Sequence, residues 1–361
     1  MSTIVGIGAW LPERVKLNDE WPAEFSNLAK GGERTFNDIP LAKDAVSARI
    51  IERDLAREAM DPFLGAKRRH VSDLSMTAVE AESIAAQRAL EEAALASLDV
   101  DVVLSNSLVP DRVSPPTATE VAHRIGATNA WATSIDTVCA SAITQLAVAD
   151  ALIKSGARIV LCTQSHLLLR AFPEMHPAVP GLGEIATAYV VMAKHHVLKS
   201  QARHAFTLRA VFQQTHGEYA KAVTFVRGSD DETDIPWWAP GGGFRLGSRN
   251  PLQAKELMRD TVSYAADAIQ KACDGSTVPR EAIQLIASVQ PRGFIPPAIA
   301  ERLGLDRSIA VTTYEDIAHV GACGPVYNLL KGRDRVSRGG FAALYGQGAG
   351  FTRAAAILQR E

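Results

Sequence analysis

Two hydrophobic periods are interleaved along this chain. Short β-branched or aliphatic runs at residues 4–9, 102–104, 131–135 and 158–163 have the length and composition of buried strands. Between them the apolar positions take helical spacing: at 75–98, where Ser75, Thr77 and Glu80 supply a polar first turn, at 117–125 and at 139–155. The second half repeats the plan, with strands at 205–212, 283–289 and 341–345, helices at 252–273 and 297–303, and a further helix from about Ala322. Strand alternating with helix predicts an α/β fold. Residues 17–60 break the alternation. Asn18-Asp19-Glu20-Trp21, followed by a charged amphipathic stretch at 43–60, reads as a loop plus helix that caps an active site or meets another subunit.

A short internal echo points to duplication. The segment from Gly156 to Gln164 and the segment from Gly339 to Gln347 share their Gly, Leu and Gln spacing, and stepping back seventeen residues from each first glycine reaches Cys139 and Ala322. The echo predicts that the loops carrying Cys139 and His319 occupy equivalent places about a pseudo-twofold axis, so that His319 faces the sulfur.

Composition narrows the class. With 361 residues, 47 % hydrophobic and 22 % charged, the chain has material for a large core in two domains or a fused pair. A net charge of −2 and basic clusters as short as Lys67-Arg68-Arg69 and Arg333-Asp334-Arg335 argue against a nucleic-acid surface. The four cysteines, Cys139, Cys162, Cys273 and Cys323, are far apart and suggest neither a metal site nor a disulfide framework, which fits a reducing, cytoplasmic setting. The residues Met1 to Ile7 do not read as the charged start and apolar run of a signal peptide, and no run approaches the roughly 18 apolar residues of a membrane span.

Cys139 is the leading candidate for chemistry. It lies where the β-branched stretch ending in Asp136-Thr137-Val138 gives way to Ala140-Ser141-Ala142 and a long helix. Unpaired N–H groups and the positive end of the helix dipole there favour thiolate, and the small neighbours leave room for an acyl group. Taken alone, a cysteine in an alanine-rich segment is more often a small buried hydrophobe. The choice rests on the other segments.

Those segments are Gly65-Ala66-Lys67-Arg68-Arg69, then Pro115-Pro116-Thr117-Ala118 with Ile125-Gly126-Ala127, then Asp136 to Cys139, and finally Gly346-Gln347-Gly348-Ala349-Gly350-Phe351-Thr352. In this order the chain resembles, over nearly its full length, the thiolase-fold condensing enzymes of the 3-oxoacyl-acyl-carrier-protein synthase III (ketoacyl synthase III-like) group. The resemblance implies a duplicated five-layered αβαβα arrangement of two mixed sheets. Residues 1–198 would form the half with the nucleophile and residues 199–361 the half with the histidine and the glycine-rich loop. It also implies that Cys139 takes an acyl group from an acyl-CoA or acyl-carrier-protein donor. Backbone N–H groups of Cys139, Gly348, Ala349 and Gly350 would form the oxyanion hole. Coenzyme A or phosphopantetheine would serve as substrate carrier, with no tightly bound cofactor or metal. The family is homodimeric, and a second thiolase-fold subunit is a further possibility.

Two positions depart from the family pattern. The family's histidine falls on Val289, or on Gln290 if the register slips by one, and the family's asparagine falls on His319. His319-Val320-Gly321-Ala322-Cys323-Gly324 resembles instead the catalytic histidine loop of the thiolases, which makes His319 the candidate general base; the bland reading is a histidine satisfied in a loop. Gln290 is a candidate carbonyl-orienting donor, since its amide carries N–H groups but exchanges no proton near neutral pH. Ser114 falls where the family often has a bulky residue closing the partner's acyl tunnel, and a serine there implies a roomier pocket. Trp237, Trp238 and Phe244 are candidates for the substrate entrance or for dimer packing. Lys255, Arg259 and Lys271 share a predicted helix that either attracts a carrier or is a solvated face. The remaining histidines are assigned no chemistry. The expected function is acyl transfer from Cys139 to a small-molecule acceptor, in polyketide or other specialised-metabolite biosynthesis. Decarboxylative condensation, with Gln290 or a water replacing the absent partner, and a non-catalytic subunit are the alternatives.

Overall fold

The structure is a computed structural model that describes residues 1–25, 44–58, 61–172, 176, 178–193, 204–227 and 244–361, without the side chains of 225–227 and 244–246. Its strands are β1 (Ser2–Trp10), β2 (Val15–Leu17), β3 (Arg68–His70), β4 (Val102–Ser107), β5 (Trp131–Ser134), β6 (Ile159–His166), β7 (Ile185–Ala193), β8 (Phe206–Thr215), β9 (Thr224–Arg227), β10 (Phe244–Gly247), β11 (Ile283–Ser288), β12 (Ala310–Val311), β13 (Phe341–Gly348) and β14 (Thr352–Arg360). The helices are α1 (Ala45–Glu58), α2 (Ala78–Ala93), α3 (Thr117–Ile125), α4 (Ser141–Lys154), α5 (Pro251–Ser276), α6 (Ile295–Arg302), the single turn α7 (Tyr314–Ile317) and α8 (Cys323–Gly332). Thr77 caps α2 by accepting the Glu80 N–H, so this helix starts later than residue 75.

Among the described residues, ten strands form one sheet in the order β12-β11-β13-β14-β8-β1-β7-β6-β4-β5. Read outward from the centre, each half places its first, fifth, fourth, second and third strands in the same order. The parallel and antiparallel pairings also match. The echoed segments fall on β6 and β13, the fourth strand of each half, but one residue out of register, since Leu161 faces the outer layer and its echo partner Leu344 the inner core. In place of two separate sheets, the halves are joined edge to edge where β1 meets β8 at Thr3↔Thr207 and Ile4↔Phe206. The expected boundary at 198/199 lies outside the described residues.

Helices α4 and α8 lie between the two halves of the sheet. Ile143, Leu146, Val326 and Leu329 from these helices share one core with Ile4, Val102 and Leu104 of the first half and Phe206, Leu285 and Leu344 of the second. Helix α4 is apolar along most of its length and buries Ala142, Ile143, Leu146, Ala149 and Ile153, while Lys154 in its last turn reaches water. Helices α2 and α3 cover the outer face of the first half, and α1, α5 and α6 that of the second, which gives the five expected layers. Strands β7 and β14 are apolar on both faces and show no alternation, which is why the sequence pattern left them unassigned.

Helix α1 corrects the expectation of a cap. Ile50, Ile51 and Leu55 pack with α5 and α6, and Arg53 reaches Glu301 of α6 at 2.7 Å while Arg307 holds Asp54 at 2.9 Å. Its apolar stripe is therefore spent on the outer helical layer. None of the described residues in 17–60 lines the central cavity.

Candidate active site

Cys139 follows β5, in a single 3₁₀ turn that runs into α4. Asp136 Oδ1 accepts the Val138 N–H at 2.7 Å, and Ser141 Oγ accepts the Thr137 N–H at 2.8 Å, so side chains complete the turn before the helix takes over. Val138, directly before the cysteine, has φ 54°, a left-handed conformation that costs a β-branched residue about 1–3 kcal/mol. The turn rests on Gly348 at the end of β13. A Cβ there would stand 1.9 Å from the Thr137 carbonyl oxygen, so only glycine permits this approach.

His319 follows β12 and α7, the equivalent place in the second half, and Ala318 before it has φ 56°. Its N–H donates to Gly181 O at 2.9 Å, and its carbonyl accepts the Gly183 N–H at 3.0 Å. A Cβ on Gly183 would meet the Ile317 carbonyl oxygen at 2.0 Å. Gln290 supports this loop from beneath. Its Nε2 donates to Ala318 O at 2.9 Å and Thr313 Oγ1 at 3.1 Å, and its Oε1 accepts from Thr313 N at 3.1 Å and Asn328 Nδ2 at 3.0 Å. This corrects the expectation that Gln290 orients a substrate carbonyl. The side chain is fully buried and off the cavity wall, its amide hydrogens are committed to the His319 loop, and Val289 is the residue that faces the cavity.

Cys139 Sγ and His319 Nε2 are 3.7 Å apart, a hydrogen-bonding distance for sulfur. Desolvation, with the Asp136 carboxylate second, pushes the thiol up to about 12, opposed slightly by the cysteine's own N–H. Desolvation also pushes His319 down to about 3. The neighbouring His166 adds to that effect, while the Gln290 backbone opposes it without a hydrogen bond of ordinary geometry to Nδ1. Both shifts favour neutral partners. Burial thus disfavours the standing thiolate that the sequence suggested, and a neutral pair would pass the proton as the sulfur attacks.

The pair opens into a cavity of about 440 Å³ lined by Leu108, Leu168, Leu182, Leu257, Met258 and Phe351 among others. Gly348, Ala349 and Gly350 line it beside Cys139. Ser114 is exposed and does not line its own chain's cavity. Trp237, Trp238 and the side chain of Phe244 lie outside the described residues. On α5, Arg259 is largely buried in an ion pair with Asp260 at 2.6 Å and so forms neither a carrier patch nor a solvated face, while the exposed Lys271 pairs with Asp267 at 3.0 Å, which favours the bland reading for it. His166, to which the sequence assigned nothing, lines the cavity beside His319, with ring centroids 5.6 Å apart. Its signal was a polar Gln164-Ser165-His166 ending on a strand parallel to its neighbour β4, the end at which α/β sites gather. Among the described residues, no His/Cys/Asp/Glu group suits a metal, and no helix is long and apolar enough to cross a membrane.

A doubled half-sheet order, with a cysteine loop from one half meeting a histidine loop from the other, defines a protein of the thiolase fold. Residues 273–360 match the family described as 3-oxoacyl-[acyl-carrier-protein] synthase III C terminal. Beta-ketoacyl-[acyl-carrier-protein] synthase III of Paramagnetospirillum magneticum is 24 % identical over 363 aligned positions, covering 99 % of this chain and 98 % of the relative. The protein of that name from Sphingopyxis alaskensis is 27 % identical over 317, covering 87 % and 94 %. Among solved structures, the priming β-ketosynthase of the R1128 polyketide biosynthetic pathway superposes with a TM-score of 0.76 at 20 % identity, covering 99 % of this chain and 96 % of that one. Within the thiolase-fold class, the chain is similar over nearly its full length to ketoacyl synthase III proteins, and its C-terminal segment matches that family's model.

Proposed function

We propose that this protein is an acyltransferase working through an acyl-cysteine at Cys139, with His319 as the base that activates the thiol. The observation that carries the reading is the 3.7 Å approach of His319 Nε2 to Cys139 Sγ on the wall of an apolar cavity. As the sulfur attacks a thioester carbonyl of an acyl-CoA or acyl carrier protein, its proton passes to Nε2. In this reading backbone N–H groups of Cys139 and of the 348–350 turn, which line the cavity, receive the oxyanion. Collapse of the intermediate expels the carrier thiolate, which recovers the proton from His319. A small-molecule acceptor then attacks the acyl-cysteine, gives up its own proton, and releases the sulfur.

Transfer to an acceptor is favoured over decarboxylative condensation by the corner next to this pair. Val289 offers no hydrogen bond there, and Gln290 has none left to give. The likeness to a priming ketosynthase of a polyketide pathway supports a place in specialised metabolism. We take the protein to act as a homodimer.

The test is mass spectrometry after incubation with octanoyl-CoA or an octanoylated carrier protein. The acyl mass is expected on the Cys139 peptide, absent in Cys139→Ala, and formed about 10²–10⁴ times more slowly in His319→Ala. Wild-type protein that acquires no acyl mass from either donor refutes the proposal.

A further inference from the structure

His166 gives the cavity a second imidazole that the acylation step does not use. We infer that His166 is the base for the second half-reaction, taking the proton from an acceptor hydroxyl, amine or thiol as it attacks the acyl-cysteine. The inference rests on the acyltransferase reading and assigns to His166 a step that would otherwise fall to His319.

The ring is held in one sense. Nδ1 lies 2.7 Å from Gly183 O, which can only accept, so Nδ1 carries the hydrogen and Nε2 presents a bare lone pair. Nε2 has no hydrogen-bond partner in the structure, although the residue is 1 % exposed and lines the cavity with Cys139 and His319. A buried acceptor nitrogen on a ligand-sized cavity wall is a place where a substrate hydrogen fits. Burial also keeps the ring neutral, down to about 4, so the lone pair is free at neutral pH.

The duplication shows why the residue stands there. His166 ends β6 and Gly348 ends β13, the same position in the two halves. Gly348 lets the Cys139 turn settle against bare backbone. At the equivalent place the first half has an imidazole, and the His319 loop fits around it through Gly321, where a Cβ would meet His166 Cδ2 at 2.6 Å. Proton balance is simple. The acceptor's hydrogen goes to Nε2, the new bond forms at the acyl carbon, the C–S bond breaks, and the imidazolium returns its proton to the departing Cys139 sulfur.

The experiment separates the half-reactions. Wild type and His166→Asn, which keeps an amide hydrogen toward Gly183 O but lacks the base, are loaded from octanoyl-CoA and then chased with ethanethiol or the more acidic trifluoroethanethiol. Loading is expected within about threefold of wild type, while transfer to ethanethiol falls by about 10²-fold or more and transfer to the largely ionised thiol falls by less than about tenfold. His166→Ala gives the second arm, with added imidazole expected to restore transfer to ethanethiol. Normal loading with undiminished transfer, or equal losses with both thiols and no rescue, overturns the assignment and leaves the acyltransferase reading standing. Absence of acyl mass on wild-type Cys139 overturns both.

Discussion

The loops that carry Cys139 and His319 occupy equivalent places in the two halves and are supported in different ways. Each follows the third strand of its half, and in each the residue before the reactive side chain is left-handed, Val138 at φ 54° and Ala318 at φ 56°. Each also rests on a glycine of the opposite half, Gly348 beneath Thr137 and Gly183 beneath Ile317. The Cys139 turn then runs straight into α4 and is closed by local contacts from Asp136 and Ser141. The His319 loop instead hangs on Gln290 and Asn328, a buried polar network with five bonds to the Gln290 amide. Duplication thus supplied a matched pair of mounts, and the local contacts made one hold a nucleophile and the other a base.

The glycine contact gives the sharpest way to break this comparison. In Gly348→Ala the new methyl would lie within 1.9 Å of the Thr137 carbonyl oxygen, which is backbone and cannot swing aside. A stability loss of about 3 kcal/mol is expected in denaturant titrations, because overpacking a closed contact commonly costs that much. Acylation of Cys139 should fall about 10²-fold as the turn is displaced. An unchanged acylation rate would mean that the approach of β13 does not position the sulfur.

Gln290→Leu probes the other mount and is expected to cost less. Ala318 O and Thr313 N lose their side-chain partner, whereas Asn328 Nδ2 keeps Ser288 O at 3.0 Å. The expected loss is about 2 kcal/mol, with acylation slowed about tenfold through a looser His319. A residue that acted only on the substrate carbonyl would lower the rate and leave the unfolding midpoint in place, so the two measurements together sharpen its role.

How much of this was legible in the sequence depended on the range of the contacts involved. The α/β alternation, the strand and helix around Cys139 and the facing of His319 all followed from local periodicity and one short echo. Strands β7 and β14 were not readable, since burial on both faces erases the alternation that marks a strand. The role of Gln290 was misread because its partners, Thr313, Ala318 and Asn328, come from beyond the next strand. The expected thiolate was misread for a related reason. A helix start argues for the anion, but the desolvation that outweighs it comes from walls assembled from both halves. His166 was missed because no neighbour in sequence marks a histidine that meets its chemistry only across the duplication.

The smallest expected effect concerns the two imidazoles and stability in acid. Burial depresses both, His166 to about 4 and His319 to about 3, from an ordinary value of 6.5. The folded chain therefore keeps them neutral where the unfolded chain binds protons. For a group whose folded pKa is lowered, the unfolded state gains stability as pH drops below 6.5, and the loss to the fold grows until pH passes the folded value. For His166, which is 1 % exposed, the window runs from about pH 6.5 to about 4, and its share at pH 5 is about 2 kcal/mol. Urea titrations of wild type and His166→Asn at pH 7.5 and pH 5 read that share together with the part of the His319 shift that His166 causes, the remaining titrating groups being common to both proteins. The variant is expected to lose about 2 kcal/mol less than wild type over this interval. Equal losses would mean that His166 titrates alike in the folded and unfolded chain, so that the walls around the end of β6 do not hold its imidazole neutral in acid.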